Sequence, residues 1–334
     1  MQFLPLSEKN LICSQPGLEC RRKTRHCIFT DMIQSMKLYL FIFSFLLASI
    51  HGLAQPITAD NTWWNELHGW EEGDPGWRNW IIISPGYLGP NALPVPHVQK
   101  GELRKSTELE FAISNHFHPG DPTEDLSGYI YIPFAGSKIA LELYGVAFEH
   151  YHFSEEIRNE RFARNKEGKG TTIGDFYFST LIQVFKDKKF PNTVFRFATK
   201  TSSGSQLESA RYTDDHALFL DLSFSKNIGH QTTGQIKPFG LIGFYTWQTN
   251  DENNLQNDAL LYALGTDYSK GNWLFSTSWS GYSGYKNQRD QPMQLNFDIR
   301  KDFQGKALRL QYLHGLRHWD YKTVRVSFIW KLTR

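Results

Sequence analysis

From about residue 103 to the C-terminus, apolar side chains recur at every second position, and no other property of the chain restricts its fold so tightly. In Glu108-Leu109-Glu110-Phe111-Ala112-Ile113-Ser114, the residues Leu109, Phe111 and Ile113 fall on one side of an extended backbone, and Glu108, Glu110 and Ser114 on the other. Met293, Leu295, Phe297 and Ile299 alternate in the same way with Gln294, Asn296, Asp298 and Arg300. Near the end, Val324, Val326, Phe328 and Trp330 oppose Thr323, Arg325 and Ser327. A helix would scatter these sets around its axis, so the pattern specifies β-strands with one apolar and one polar face.

The pattern predicts strands over 103–116, 126–134, 138–151, 174–186, 193–202, 215–226, 235–248, 258–268, 272–283, 292–303, 306–316 and 322–332. Their connections alternate in length. Ala135-Gly136-Ser137, 187–192, 227–234, Ser269-Lys270-Gly271 and Gln304-Gly305 are short or moderate, whereas 117–125, 152–173, 203–214, 249–257 and 284–291 are mostly longer. A soluble sandwich has no reason to keep that parity. A membrane barrel with short periplasmic turns and longer outer loops requires it, together with an even strand number. The expected fold is therefore all-β: an antiparallel transmembrane β-barrel of about 12 strands over 101–334, in the outer membrane, with both termini periplasmic. An aromatic content of 15% fits the girdles of such a barrel.

The start of the chain reads as a secretion signal. Met36-Lys37 precedes the apolar run Leu38 to Ala48, and small residues at Gly52 and Ala54 mark a cleavage site before Gln55. The run is shorter than the roughly 20 residues of a spanning helix, which favours cleavage over an anchor. Residues 1–35 are read as a mis-assigned extension upstream of the true start, and 36–54 as the signal peptide. All three cysteines (Cys13, Cys20, Cys27) lie in that extension, with none of the tight spacing of a metal or redox motif. The net charge of +2 shows no clustered basic face and argues against nucleic acid. The partners expected are outer-membrane lipid, the barrel-assembly machinery and small solutes, and no cofactor or metal is expected.

Residues 55–100 break the alternation. The segment carries Trp63, Trp64, Trp70, Trp77 and Trp80, then Pro85, Pro90, Pro94 and Pro96, a proline density that a β-ladder does not accept. It is either a plug folded into the lumen, with indole N–H groups bonded to carboxylates such as Glu110 or Glu142, or an N-terminal lid or tether. If the apolar faces meet lipid, the lumen receives Glu108, Glu110, Glu142, Arg196, Lys200, Asp221, Asp298, Arg300, Arg309 and Arg325. Charges of both signs there form a structural network that fills a small barrel or line a pore.

Three histidine pairs stand out: His116 with His118, His150 with His152, and His314 with His318. The first two have the i, i+2 spacing that puts both rings on one strand face, but no third ligand lies at a comparable short spacing. For nucleophilic catalysis the local candidate is the hairpin from Lys200-Thr201-Ser202-Ser203 to Asp214-Asp215-His216, and Ser276, Ser278 and Ser280 read as a polar lumen face.

In strand number and size the chain resembles outer-membrane phospholipase A, whose signature is an Asn-His-x-Ser-Asn run. The hairpin reads Thr199-Lys200-Thr201-Ser202-Ser203, and the only His-x-Ser is His152-Phe153-Ser154, flanked by Tyr151 and Glu155. No catalytic residue carries over. The whole mature region resembles the small uncharacterised outer-membrane barrels of Gram-negative bacteria in its cleavage site and its last strand, Val324 to Trp330, although it continues Lys331-Leu332-Thr333-Arg334 beyond the usual terminal aromatic. That resemblance implies a passive or weakly selective channel for small solutes, or a filled structural barrel. The alternatives are a membrane-embedded lipid hydrolase and a surface adhesion or receptor barrel.

Overall fold

The computed structural model describes residues 60–187 and 189–332. The expected extension and signal peptide lie outside them. The strands are β1 (Thr107–Phe117), β2 (Thr123–Phe134), β3 (Ile139–His152), β4 (Lys169–Thr172), β5 (Phe176–Phe185), β6 (Asn192–Lys200), β7 (Ala217–Ser225), β8 (Ile228–His230), β9 (Gly234–Gln248), β10 (Gln256–Lys270), β11 (Trp273–Gly284), β12 (Met293–Phe303), β13 (Lys306–Arg317) and β14 (Lys322–Leu332). All pairings are antiparallel and join neighbours in sequence, except that β3 also pairs with β5 and β7 with β9, passing over the short β4 and β8, and that the last strand pairs with the first. The ring closes where β14 meets β1, in register from Thr107↔Leu332 to Phe117↔Lys322. Leaving out β4 and β8, which only extend hairpins, twelve strands form a closed barrel.

Each expected strand is present. The first begins four residues late, at Thr107, because Leu103 gives its N–H to the Gln183 side chain at 2.8 Å and is buried inside the barrel instead of joining the ladder. The two-residue turns Gly271-Asn272 and Gln304-Gly305 lie at one mouth with the turns after β2, β5 and β7, and the longer loops lie at the other.

Burial is inside out relative to a soluble protein. Phe111 and Ile113 are 63% and 59% exposed on the outer surface, while Arg196, Lys200 and Asp221 are 0–1% exposed on the inner one. Outside, Trp273, Phe303 and Trp330 ring the turn mouth, and Phe117, Phe148 and Tyr285 stand near the loop mouth. A closed ladder leaves no backbone edge, an apolar belt faces outward, and the polar residues face in. This is an outer-membrane-type β-barrel.

Phe297 stands near the middle of β12 on the outer face, against Tyr312 of β13, and Asn296 faces inward beside it. Phe297→Arg should cost ~2–4 kcal/mol at the bilayer midplane, read from the urea midpoint in lipid vesicles. Asn296→Ser should shift that midpoint little, and equal effects at the two positions would contradict the assigned faces.

Candidate functional site

The N-terminal segment threads the lumen from the loop mouth to the turn mouth. It begins with helix α1 (Thr62–His68), whose buried Trp64 donates its indole N–H to the Phe162 carbonyl in the β3–β4 loop at 3.0 Å. Trp64 also packs edge-on against Trp80, and Arg164 lies over the rings of Trp64 and Trp77. Arg158 covers Trp63 in the same way. The indoles of Trp70 and Trp80 both donate to the Pro75 carbonyl. The five tryptophans therefore form a cap among the loops. None of these indole donors reaches Glu110 or Glu142, contrary to expectation, because the carbonyls of Phe162 and Pro75 accept them at the rim. Beside the cap, Trp80, Ile82, Asn250 and Glu252 line a cleft of about 440 Å³.

Inside the barrel runs the stretch from Ile81 to Arg104. Four prolines suit it to an enclosed path, since each removes one backbone N–H that would need a partner. The barrel satisfies the remaining groups one at a time. Gly86 and Gly89 donate to the carbonyls of Arg289 and Ala210 in the long loops. Lower down, Trp247, Trp319 and Tyr282 donate to the carbonyls of Ile83, Pro90 and Leu93, and Arg196 donates to that of His97 at 2.8 Å. At the turn mouth Gly101 donates to Ser223, Lys100 binds Asp267 at 2.7 Å, and Glu102 pairs with Lys186 at 2.8 Å. Gly101 has φ +69°, and a Cβ there would lie 2.6 Å from the Asn192 carbonyl, so only glycine fits.

The first described residues thus stand at the loop mouth and Leu332 at the turn mouth. Gln55 itself is outside the described residues.

The filling is lopsided. Ile81, Ile83, Leu88, Leu93 and Val95 pack into one apolar cluster with Tyr144, Tyr177, Phe219, Tyr245, Trp247 and Tyr282, which come from β3 to β11. Leu103 joins a smaller cluster with Tyr131, Leu181 and Val194. No residue of β12, β13, β14 or β1 belongs to either cluster. That wall is polar, and the sequence-derived lumen residues are concentrated on it.

All ten of those residues face inward. Glu108 pairs with Arg300 at 2.7 Å and with Arg104 at 2.8 Å. Arg309 pairs with Asp298 through its Nε at 2.8 Å and with Glu110 at 3.5 Å. Arg196 pairs with Asp221 at 2.7 Å. Glu142 accepts from Gln99 at 3.0 Å and from the Tyr129 hydroxyl. Lys200 binds Asp175 and Thr213, each at 2.7 Å, and Arg325 reaches only Ser114, at 2.9 Å. Arg104, at the end of the threaded segment, meets this wall through Glu108, and Asp302 and Lys331 join it beside Arg300; the sequence reading named none of these three as lumen residues.

A second network at the loop mouth escaped sequence reasoning because Asp121, Arg161, Arg211, Tyr212 and Tyr321 lie outside the strands, although Thr123 and Glu149, which they bind, lie on β2 and β3. Arg211 binds Asp121 at 2.7 Å, Glu149 at 2.8 Å and Thr123 at 2.9 Å. Arg161 binds the same Asp121 at 2.6 Å and Tyr321 at 3.0 Å, and Tyr212 donates to Glu149 at 2.7 Å. Asn91 of the threaded segment donates to Asp125 and Glu149, which ties the segment to this network. Burial alone raises the pKa of Asp121, but Arg211 and Arg161 outweigh it and hold the carboxyl below its ordinary value.

The histidine pairs divide. His116 is buried between Asp125 at 2.6 Å and Thr323 at 2.7 Å, while His118 packs on Tyr321. His150 and His152 are exposed, and His314 and His318 are half-buried. Among the described residues no three metal-binding side chains are grouped as a site. Ser154 caps helix α2 (Glu155–Glu160), accepting the Ile157 N–H at 3.3 Å. That is a capping role.

No protein-family model and no curated protein matches the chain. Solved structures do. A KdgM porin in complex with disordered oligogalacturonate aligns over 67% of this chain and 99% of that one, with 9% identity and a TM-score of 0.42. An outer membrane channel from Pseudomonas putida F1 aligns over 78% of this chain and 100% of that one, with 12% identity and a TM-score of 0.46. The translocator domain of the autotransporter NalP from Neisseria meningitidis aligns over 71% and 91%, with 11% identity and a TM-score of 0.38. These are likenesses of barrel shape at identities too low to carry residues across.

Asp121→Asn leaves Arg211 and Arg161 buried with one carboxylate fewer, and losing a partner from a buried charge network costs ~3–5 kcal/mol. The long loops should then become sensitive to protease while the heat-resistant barrel persists. With the Asp121 pKa lowered on folding, its contribution is fully present above the unfolded value and is lost only as pH falls through the folded one. The wild-type loops should therefore stay protected at pH 5.

Proposed function

We propose that this protein is an outer-membrane channel for small solutes whose own N-terminal segment sets access to the lumen. The observation that carries the reading is the lopsided filling. Ile81 to Arg104 packs its apolar side chains against β3 to β11 and leaves the charged wall of β12, β13, β14 and β1 outside both apolar clusters. A barrel filled only for stability has no need to reserve a polar wall. The His97 imidazole, enclosed by the barrel, is nonetheless exposed, as expected beside water-filled space.

In this reading the loop mouth faces the outside and the turns face the periplasm, the usual arrangement of such barrels. The barrel-assembly machinery inserts it, and lipid covers the outer belt. A second reading, a filled structural barrel without transport, draws on the depth of the packing around Tyr144, Tyr245 and Trp247. A lipid hydrolase built on Ser154 draws nothing from the site, since that hydroxyl caps a helix.

Single-channel recording in planar bilayers separates the readings. Deleting 61–100 should raise conductance well above that of the full chain, with heat-modifiable migration confirming a folded barrel. A folded deletion variant that conducts no better than the full chain would reject access control, and silence from both proteins would favour the filled barrel.

Membrane sidedness can be tested independently, because no cysteine follows Cys27. Glu66→Cys, on the exposed face of α1, should react with a membrane-impermeant maleimide on intact cells. Labelling only after the outer membrane is permeabilised would place the loop mouth in the periplasm.

A further inference from the structure

Among the arginines that face the lumen, Arg325 is bound differently from the rest. Arg196 is committed to Asp221, Arg300 to Glu108 and Asp302, Arg309 to Asp298 and Glu110, and Arg104 to Glu108. Arg325 has no carboxylate within ion-pair distance among the described residues. Its one hydrogen bond among the described residues runs from Nε to Ser114 Oγ, at 2.9 Å. Ser114 and Arg325 are directly opposed across the β1–β14 seam, so this bond is made between two inward-facing neighbours on rigid strands.

A guanidinium is planar, and a bond that holds Nε fixes the direction of the two Nη groups. Among the described residues these two groups have no hydrogen-bond or ion-pair partner, so they form an oriented fork on the lumenal face. Arg325 is half-buried, on the inner wall of β14. Two carboxylates feel Arg325, but each is engaged elsewhere: Asp125 by His116 and Asn91, Glu110 by Arg309. Above the fork, Trp319 donates to the Pro90 carbonyl at 3.0 Å and Tyr321 is buried, so the loop side is covered.

We propose that the Nη fork of Arg325 is a lumenal subsite for the oxyanion group of a small solute, a carboxylate or a phosphate. The proposal deepens the channel reading by naming the solute class. The fork supplies two parallel N–H donors, the geometry that binds such groups bidentately. Ser114 is a positioning residue that holds the fork.

Equilibrium binding tests the site without requiring transport. The folded full chain in detergent is titrated calorimetrically with succinate, inorganic phosphate and, as a neutral solute of similar size, erythritol. Succinate or phosphate should bind and erythritol should not, and whichever anion binds more tightly identifies the oxyanion. Arg325→Gln should weaken anion binding at least tenfold. Ser114→Ala, which removes a hydroxyl without changing the charge, should weaken it several-fold and serves if Arg325→Gln does not fold. Equal binding of anions and erythritol, or anion affinity unchanged in either folded variant, would overturn the proposal. In bilayers with a salt gradient, Arg325→Gln should move the reversal potential toward cation preference. Anion binding without conductance would reject the channel reading and leave the site standing, so the two failures are distinguishable.

Discussion

Everything in this structure depends on closing the ring between β14 and β1. In hydrocarbon, a backbone N–H or carbonyl without a partner costs several kcal/mol, so a sheet can span a membrane only if it has no free edge. The eleven paired positions from Thr107↔Leu332 to Phe117↔Lys322 remove that edge. Once the ring is closed, its inner face is shielded laterally from lipid and reached only through the two mouths, and most of the charged residues there pair within it. Glu108 with Arg300, Arg309 with Asp298 and Arg196 with Asp221 are the result.

Closure also accounts for the form of the N-terminal segment. A regular strand placed inside a closed barrel would present two unsatisfied edges. An irregular chain with Pro85, Pro90, Pro94 and Pro96 presents fewer donors, and its carbonyls are met by individual donors such as Trp247, Tyr282, Arg196 and Gln183. The lumenal aromatics therefore serve twice, packing against Ile83 and Leu93 with their rings and capping carbonyls with their polar atoms. The same logic locates the least constrained part of the lumen, along β12 to β1, where the segment supplies no apolar packing.

The barrel was legible in the sequence because strand periodicity is local. The alternation of Leu109, Phe111 and Ile113 with Glu108 and Glu110 reports on both faces of β1 without reference to any other strand, and the turn lengths gave the up-and-down order. The ten lumen residues followed from the same rule. What the sequence did not reveal depends on contacts between distant residues. Which arginine meets which carboxylate is set by strand register. The Arg211–Asp121–Arg161 network sits on loops with no period. The tryptophans announced a buried role correctly for Trp64, but composition alone did not distinguish the lumen from its rim. Arg325 was legible as a lumen residue, while its lack of a carboxylate partner was not, because that depends on where every other charge lies.

The path of the segment has a topological consequence. A chain that passes through a ring closed by its own later residues is threaded, and at one end it is fixed covalently where β1 begins at Thr107. At the other end the folded cap of α1, with Trp64, Trp80 and their cationic neighbours, is bulkier than the extended stretch inside. The arrangement is that of a rivet, with a shank in the lumen and a head on the rim. While the head stays folded, the segment cannot be withdrawn toward the turn mouth. The lumen can then widen only by a sideways displacement of the shank. The same geometry orders assembly, because the segment reaches the far side most readily before the last seam closes around it, which makes β14–β1 pairing the step that locks the thread in place.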